Sequence, residues 1–326
     1  MTNGAVEHST KWFVVVNPIS GSGKGLDDFP LISKLLRDNG ISSEAVFTEH
    51  KYHATELTVS AITSGYRHII VVGGDGTLHE VVNGLFIQKV VEPSDVTIAV
   101  IPVGTGNDWI RMYGLPTRYS AVIRAIKEGY TFLQDVAAVE YEESRFRQTR
   151  YMANVAGVGF DAAVIKHCQK LRSRGRSGAS IYIRSLINAF FRYKPTGVKI
   201  WVDDRLMHNN LLFSLAIGVG KYNGGGIQQL PQAVADDGLL DVTLIKPLHW
   251  WHVVFRLRRF FNGEIYSIGH VQHLQGSKIR IESSPEIDLE IDGELHGGTP
   301  VELQVLHRAV KVVVNKSFVD KLTDKA

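Results

Sequence analysis

Three glycine-rich segments in the first third of the chain carry hydroxyl, amide and carboxylate side chains beside the glycines. They cover residues 17–25 (Asn-Pro-Ile-Ser-Gly-Ser-Gly-Lys-Gly), 73–77 (Gly-Gly-Asp-Gly-Thr) and 102–108 (Pro-Val-Gly-Thr-Gly-Asn-Asp). Glycines let backbone N–H groups approach phosphate oxygens closely, and a helix that follows adds positive partial charge. Together these segments could therefore bind a phosphorylated ligand.

The first segment matches neither of two well-known phosphate-binding motifs. A Walker A loop requires glycine where Pro18 stands and a hydroxyl residue where Gly25 stands. A dinucleotide-binding fingerprint requires a third glycine at the position of Leu26. Taken alone, this segment is as compatible with an ordinary tight turn as with a phosphate site.

The second and third segments add the oxygen ligands that Mg²⁺ prefers in proteins. Asp75 and Thr77 lie in the second segment, and Asp108 ends the third. A turn with Asp75 or Thr77 as helix N-cap is the simpler interpretation of the second segment. Three glycines favour the functional interpretation, in which backbone amides bind phosphate and Asp75 binds magnesium or its water.

Apolar strands precede all three segments and alternate with helical patterns. The predicted strands cover residues 12–16, 68–72 and 96–101, and residues 78–86 are predicted to be helical. This alternation is typical of a parallel sheet covered on both faces, in which ligands bind at the carboxyl ends of the strands. We expect the three segments to converge on one crevice.

After about residue 134 the apolar pattern changes to a period of two, as in residues 198–202, 279–281, 301–305 and 310–314. Such alternation indicates half-buried strands of an antiparallel sandwich or barrel. We therefore predict an α/β domain over residues 1–133, to which the C-terminal tail 315–326 could return. A β-rich sandwich domain is predicted over residues 134–314.

Composition restricts the class of protein. The chain has 326 residues, a net charge of +3 and a single cysteine, Cys168. That charge is too small to predict a nucleic-acid partner, and one cysteine cannot form an internal disulfide, which suits a reducing cytoplasm. Since no apolar run approaches the roughly 18 residues needed to cross a bilayer, we expect a soluble cytoplasmic protein that at most contacts a membrane surface.

The order of these motifs resembles the diacylglycerol kinase catalytic family, which includes sphingosine and ceramide kinases and soluble bacterial lipid kinases. The resemblance rests on the three segments above and on two further marks, Asp-Asp-Gly-Leu-Leu-Asp at residues 236–241 and Ile-Asp-Gly-Glu at residues 291–294. It covers essentially the whole chain. It implies a Rossmann-like, NAD-kinase-like α/β domain followed by a β-sandwich that binds lipid, and phosphate transfer from ATP to a lipid hydroxyl with Mg²⁺. Diacylglycerol is the default acceptor.

The resemblance also assigns roles residue by residue. Asp292 or Glu294 would act as the general base. The chemistry of the residues agrees, because Asp75 and Asp108 are well suited to hold the catalytic Mg²⁺ through oxygen or water contacts. A structural Mg²⁺ would be bound by the Asp237 side chain and the carbonyls of Val234 and Leu239. The implied nucleotide-binding residues are Asn17, Pro18, Ser20, Gly21, Thr48, Gly74, Asp75, Gly76, Thr77, Glu80, Gly104, Thr105 and Asn107.

Two amphipathic stretches bear on the partner. Residues 180–193 and 249–261 are predicted to be helical and place aromatic side chains among arginines, and residues 172–176 add three further arginines. This mixture suits an anionic membrane surface, whereas packing in the core with a solvated basic face is the alternative. The sequence predicts peripheral contact with the inner membrane face, and homodimers are common in the family that the chain resembles.

Three alternatives remain open at this stage. The motifs do not separate a diacylglycerol kinase from a sphingoid-base or ceramide kinase. An NAD kinase shares the Gly-Gly-Asp-Gly-Thr segment but lacks the first and third segments. A catalytically silent regulator is disfavoured because every acidic position that the chemistry requires is present.

Overall fold

The computed structural model describes residues 11–104, 107–172, 180–248 and 258–323. The chain forms two compact units. The first consists of residues 1–134 and 308–326, and the second of residues 135–307. Among the described residues, no helix combines the length and apolar character needed to span a membrane.

A parallel sheet forms the centre of the first unit, with the strand order β2-β1-β3-β4. The strands at residues 12–16, 68–73 and 97–102 are buried because their side chains are mostly apolar on both faces, as predicted for a sheet covered by helices, whereas the edge strand at residues 43–47 is half-buried or exposed. The pairing of Val16 with Val72 and of Gly73 with Pro102 brings the carboxyl ends of neighbouring strands to one edge. The strands are β1 (Trp12–Val16), β2 (Ser43–Phe47), β3 (His68–Gly73) and β4 (Thr97–Pro102).

Helices connect these strands, and the helix at residues 75–87 begins and ends within a few residues of the predicted helix 78–86. The short helices at residues 24–27 and 108–112 were not predicted. The last full helix of the series ends at Gly129, which adopts the left-handed conformation that glycine tolerates best. The helices are α1 (Lys24–Asp27), α2 (Phe29–Asp38), α3 (His53–Thr63), α4 (Asp75–Ile87), α5 (Asp108–Met112), α6 (Tyr119–Glu128) and, near the C-terminus, α9 (Lys316–Thr323).

The second unit is built on antiparallel strands around a core of aliphatic side chains, which includes Val158, Leu215 and Ile281. A second apolar cluster, around Phe160 and the buried Cys168, packs beneath its helices. The elements are β5 (Thr131–Glu143), β6 (Phe146–Met152), β7 (Val155–Gly159), α7 (Phe160–Arg172), α8 (Ser180–Arg192), β8 (Thr196–Val202), β9 (Arg205–Leu212), β10 (Ser214–Gly218), β11 (Leu240–Ile245), β12 (Val271–Gly276), β13 (Lys278–Ser283), β14 (Asp288–Ile291) and β15 (Glu294–Val313).

The end of β15 differs from the sequence-based prediction. Residues 310–314 were expected to form part of the antiparallel sandwich, within a domain that extends to residue 314. Instead, Lys311 and Val312 pair in parallel with Thr97 and Ile98 of β4, and the return to the first unit starts at Arg308. Because period-two alternation is the same for both partners, the pattern alone could not identify which sheet receives this segment.

Candidate active site

Asn17 links the first glycine-rich segment to the second. Its Nδ2 donates a hydrogen bond to the Thr77 Oγ1 at 3.0 Å, and its Oδ1 accepts one from the Ile19 N–H at 3.2 Å. The backbone N–H of Asn17 also donates to the Val72 carbonyl at 3.0 Å. One amide side chain therefore fixes the turn that follows β1 against the helix that follows β3.

The first and third segments approach each other so closely that only glycine fits at their contact. A Cβ added to Gly21 would lie 3.1 Å from the Gly104 Cα, and both residues have positive φ, of 62° and 118°. The Ser20 hydroxyl donates a hydrogen bond to the Val103 carbonyl at 3.1 Å across the same contact. The glycines at these two positions are therefore required by the close backbone approach and the left-handed conformation.

Gly25 is required for a different reason, since a Cβ there would lie 1.9 Å from the Asn17 carbonyl oxygen. The Pro18 carbonyl accepts a hydrogen bond from the Leu26 N–H at 3.2 Å, so the segment turns back over α1. The tight turn and the phosphate site that we weighed as alternatives are therefore compatible. The tight turn is present, and the N–H groups of Ser20, Gly23 and Gly25 form hydrogen bonds within it.

Asp75 connects the second segment to the third. Its Oδ2 accepts a hydrogen bond from the Asp108 N–H at 3.0 Å, and its Oδ1 accepts one from the Trp109 N–H at 3.3 Å. The simpler interpretation named Asp75 or Thr77 as the N-cap of the following helix, and this is wrong in detail. Gly74 is the N-cap of α4. The Asp75 carboxylate instead accepts hydrogen bonds from the first N–H groups of α5.

Asp108 and Asn107 complete the third segment. Asp108 is buried, with its Oδ1 3.6 Å from the Arg111 Nε. Asn107 adopts a left-handed conformation at φ 47° and donates from Nδ2 to the Gly104 carbonyl at 3.0 Å. The Oδ1 of Asn107 and the Ser20 hydroxyl lie near Gly74, within 4 Å of the position that a Cβ would take. The three segments thus converge as predicted, although Thr105 lies outside the described residues.

Two of the predicted nucleotide-binding residues, Glu80 and Thr48, form hydrogen bonds with the backbone of other segments. The Glu80 carboxylate accepts hydrogen bonds from the N–H groups of Tyr52 at 2.9 Å and Ala54 at 3.1 Å, so it caps the start of α3. The Thr48 N–H donates to the Val16 carbonyl at 2.8 Å at the end of β2. Glu80 therefore orders the loop after Thr48, and Gly76 lies in the first turn of α4.

In the second unit, Asp292 is the more buried of the two candidate bases, and its carboxylate is occupied by the backbone. Its Oδ2 accepts from the Ala153 N–H at 2.9 Å, and its Oδ1 accepts from the N–H groups of Asn154 at 2.9 Å and Val155 at 3.2 Å. Glu294, two residues further, stays partly exposed. The Asp292 carboxylate therefore holds the turn to the preceding chain, and Glu294 is the more accessible of the two acids.

Sequence analysis missed a pair of enclosed carboxyl groups next to this turn. Burial raises the pKa of Glu290 to about 8, with Asp161 adding to the shift, and burial raises the pKa of Asp161 to about 6. Asp161 accepts hydrogen bonds from the Ser214 hydroxyl at 2.6 Å and the Gln229 Nε2 at 3.1 Å. The signal available in the sequence was an acidic residue, Glu290, between the apolar residues Leu289 and Ile291.

The predicted structural magnesium site lies on a turn rich in carboxylates. Asp237 Oδ1 accepts a hydrogen bond from the Leu239 N–H at 3.0 Å, and Val234 is exposed. Burial raises the pKa of Asp237, and Asp241, Asp135 and Asp236 raise it further. Carboxylate oxygens that repel one another are ligands that a hard divalent cation prefers, so the acids of this turn fit magnesium.

Asp135 is a third residue that sequence analysis missed. It is fully buried, and its Oδ2 accepts a hydrogen bond from the Gly238 N–H at 2.7 Å. Its Oδ1 lies 3.0 Å from the His307 Nδ1. Asp135 therefore fixes the turn that carries Asp237, and the signal for it was an acid at the start of a buried strand.

A separate group in the first unit has metal-ligand composition but unsuitable hydrogen bonding. The ligand atoms of His50, His53 and Glu56 lie within 4.8 Å of one another. The Nδ1 of His53, however, accepts a hydrogen bond from the Glu49 N–H at 3.0 Å, so its Nε2 carries the proton in the neutral ring. A metal bound at Nε2 would move this proton to Nδ1, which could then no longer accept the hydrogen bond from the Glu49 N–H. We therefore assign no metal to these three residues.

Of the two predicted amphipathic helices, the structure describes most of the first. Helix α8 exposes Ile187 and Phe191 by 54% and 73% and also exposes Arg184 and Arg192, while Phe190 packs against the core. Packing in the core therefore accounts for only some of the apolar side chains of this helix, since Ile187 and Phe191 are exposed. The arginines at residues 174 and 176, and residues 249–257 of the second helix, lie outside the described residues.

Comparisons with known proteins agree with the fold and with the position of the motifs. Residues 11–139 match the model of the diacylglycerol kinase catalytic domain, and residues 154–314 match that of the YegS C-terminal NAD kinase beta sandwich-like domain. The chain is 25% identical over 315 residues to a diacylglycerol kinase of Bacillus subtilis, and the match covers 95% of this chain and 98% of that protein. It is 26% identical over 312 residues to a diacylglycerol kinase of Staphylococcus haemolyticus, with 95% and 90% covered.

A solved structure supports the same fold. The crystal structure of a diacylglycerol kinase from Bacillus anthracis superimposes with a TM-score of 0.69 at 22% identity, and the match covers 95% of this chain and 98% of that chain. The predicted fold class, an α/β domain with a C-terminal β-sandwich, is thereby confirmed.

Proposed function

We propose that this chain, which belongs to the diacylglycerol kinase catalytic family, transfers the γ-phosphate of ATP to diacylglycerol and so forms phosphatidic acid. Family membership makes it a phosphotransferase that acts on a lipid alcohol. Diacylglycerol as the acceptor is the finer step, and it is supported by the names of the two bacterial relatives at about 25% identity.

The observation that carries the proposal is the joining of the three glycine-rich segments by side-chain hydrogen bonds. Asn17 bonds Thr77, and Asp75 bonds the N–H of Asp108. Backbone amides and the start of α4 then face one edge of the sheet, where they can bind the triphosphate. Phosphoryl transfer depends on such positioning and on charge neutralisation more than on covalent chemistry.

Asp75 and Asp108 offer the hard oxygen ligands that magnesium prefers, and the metal when bound neutralises charge on the transferred phosphoryl group. The N–H bonds that Asp75 accepts orient its carboxylate, so its position is set before the nucleotide binds. Glu294 takes the proton from the acceptor hydroxyl as the phosphate arrives. Asp292 orients that turn through its three backbone bonds.

We further propose that α8 contacts the membrane that contains the lipid acceptor. The exposed Ile187 and Phe191 would enter the interface, and Arg184 and Arg192 would pair with anionic headgroups. This role is compatible with the packing of Phe190 in the core, because the two sets of side chains occupy different faces of the helix.

The test is an assay of purified protein with γ-labelled ATP and Mg²⁺ against diacylglycerol, ceramide, a sphingoid base and NAD. Label in the organic phase with diacylglycerol as the best acceptor supports the proposal. A better rate on ceramide or the sphingoid base would keep the lipid kinase and replace the substrate. Label on NAD alone would overturn the lipid assignment. Loss of label with Asp75→Asn but not with the control Asp38→Asn would show that this protein transfers the phosphate.

A further inference from the structure

The carboxyl group of Glu290 is enclosed beside the turn that carries Asp292 and Glu294. Glu290 lies on β14 and is 1% exposed. Its Oε2 accepts a hydrogen bond from the Gly293 N–H at 2.8 Å, and its Oε1 is buried with no hydrogen-bond partner among the described residues. Ionising a carboxyl group that is removed from water in this way is costly.

Two carboxyl groups anchor the turn between β14 and β15. Asp292 and Gly293 both have positive φ, of 50° and 85°, which is the backbone of a tight two-residue hairpin between β14 and β15. The Asp292 carboxylate anchors one side of the turn to the chain before β7. The Glu290 carboxyl group anchors the other side through the N–H of Gly293, the residue that precedes Glu294.

A network of buried and half-buried polar side chains connects Glu290 with Asp161. The Asn223 side chain interacts with Glu290 and donates from Nδ2 to the Gln229 Oε1 at 3.0 Å. Gln229 in turn donates to both oxygens of Asp161 at 3.1 and 3.2 Å. Gly157, the register partner of Glu290 on β7, leaves the space that the carboxyl group fills, since a Cβ there would lie 2.6 Å from the Glu290 Oε1.

The charged groups that act on Glu290 are both acidic. They are Asp161, from the start of α7, and Asp292, from the turn. The register partners on the two neighbouring strands are Gly157 of β7 and Leu295 of β15, which carry no charge. Burial, followed by Asp161, raises the pKa of Glu290 to about 8, so the carboxyl group is mostly neutral at pH 7.

We propose that Glu290 is a positioning residue, whose uncharged carboxyl group fixes the Asp292-Gly293-Glu294 turn and thereby the orientation of Glu294. This inference rests on the proposed function of Glu294 as the proton acceptor. When Glu290 loses its proton, repulsion by Asp161 and Asp292 disturbs the turn. Transfer of phosphate should then decline as the pH rises above about 8.

The first experiment compares pH profiles of phosphate transfer to diacylglycerol between pH 6.5 and 9.5. Glu290→Gln keeps an uncharged acceptor for Gly293, so it should retain the wild-type rate at pH 7 and lose the decline at alkaline pH. Glu290→Ala removes the acceptor, and a misplaced catalytic group can cost on the order of 10²-fold in rate at every pH. The matched control is Asp288→Asn, which changes an exposed acid of the same strand that pairs with Lys166 at 2.7 Å.

The second experiment does not depend on activity. Amide hydrogen exchange is measured for the segment 289–296 at pH 7 and pH 9, with variants compared at equal pH. We expect wild type and Glu290→Gln to protect the turn equally at pH 7, and only Glu290→Gln to keep that protection at pH 9. Glu290→Ala should lack it at both values.

The two experiments separate the inference from the proposed function. If wild type phosphorylates none of the acceptors but the exchange pattern holds, the proposed function fails and the positioning role of Glu290 stands. The inference is overturned if Glu290→Gln exchanges as fast as Glu290→Ala at pH 7. It is also overturned if Glu290→Gln and wild type share the same alkaline decline.

Discussion

The carboxylate of Asp75 holds the first turn of the helix that begins at Asp108, through a 3.0 Å hydrogen bond from the Asp108 N–H to the Asp75 Oδ2. The two acids are 33 residues apart in the chain and belong to loops after neighbouring strands. Because the Asp75 side chain fixes the backbone at Asp108, the positions of the two carboxylates depend on each other.

Asp75→Asn should therefore lower activity much more than stability. The amide keeps one acceptor oxygen for α5 but loses the negative charge, so we expect kcat to decrease on the order of 10²- to 10³-fold. The loss of a single hydrogen bond should cost about 1 kcal/mol in unfolding free energy. Initial rates with γ-labelled ATP and urea unfolding curves measure the two effects.

The control is Asp38→Asn, an exposed acid of α2 that pairs with Lys34 at 2.5 Å. It should leave both kcat and stability near the wild-type values. An Asp75→Asn variant with the wild-type rate would remove Asp75 from the catalytic assignment.

The sequence predicted the sheet, its helices and the convergence of the three glycine-rich segments, because each rests on local patterns. Strand 68–72 was predicted from four consecutive β-branched residues after His68, and the structure has His68–Gly73. Convergence followed from the rule that parallel strands end at one edge of a sheet.

The partners of the polar groups could not be predicted in the same way. That Asp75 caps α5, and that Glu80 caps α3, depends on strand register and loop conformation across 33 and 26 residues. The raised pKa of Glu290 depends first on its burial and then on Asp161, which lies 129 residues earlier in the chain. Such relationships arise only in the folded protein, where burial and neighbouring charges act together.

Asp292 and Glu294 should differ in what their loss changes. Glu294→Gln should lower kcat by about 10²- to 10⁴-fold, as expected for loss of a general base, and leave stability within about 0.5 kcal/mol. Asp292→Ala leaves three buried N–H groups without their acceptor, each at a cost of about 1–3 kcal/mol. Kinetics and chemical unfolding on the same two variants separate the roles. Equal stability loss in both would contradict the assignment.

Gly25 tests the packing of the first glycine-rich segment. Gly25→Ala would place a Cβ 1.9 Å from the Asn17 carbonyl oxygen, so the segment must shift, at a cost of about 1–3 kcal/mol. We expect the KM for ATP to rise, because Asn17 can no longer hold its place against Thr77. Gly269→Ala is the matched control, since no atom lies within 4 Å of its added Cβ. An unchanged KM for ATP in Gly25→Ala would show that this segment does not contribute to nucleotide binding.

The carboxylate-rich turn at Asp237 should make stability depend on magnesium. Binding at a concentration 100 times the dissociation constant would add about 2.7 kcal/mol to the unfolding free energy. Thermal unfolding with increasing MgCl₂ should show an upward shift in wild type that is much smaller in Asp237→Asn. Asp204→Asn, at an exposed hairpin turn, should shift as wild type does. Equal shifts in all three proteins would exclude Asp237 as a magnesium ligand.

Asp161 should give the protein a pH-dependent loss of stability that its amide variant lacks. Burial raises its pKa from 3.8 to about 6, so between these values the folded state binds more protons than the unfolded state. The contribution of Asp161 to stability is present below pH 3.8 and is lost as the pH rises through about 6. The unfolding free energy of Asp161→Asn relative to wild type should therefore increase across this window, by at most about 1.4 kcal/mol per pH unit.

Urea unfolding at half-unit steps from pH 4 to pH 7 measures that difference, and Asp95→Asn, an exposed acid of the first unit, shows what loss of any single carboxyl group does. Asn at position 161 can still accept one hydrogen bond from Ser214 or Gln229, so the fold should be retained. A difference between wild type and Asp161→Asn that stays constant with pH would mean that Asp161 titrates alike in the folded and unfolded states. The charge that acts on Glu290 from α7 would then have to be reconsidered, since its raised pKa depends in part on an ionised Asp161.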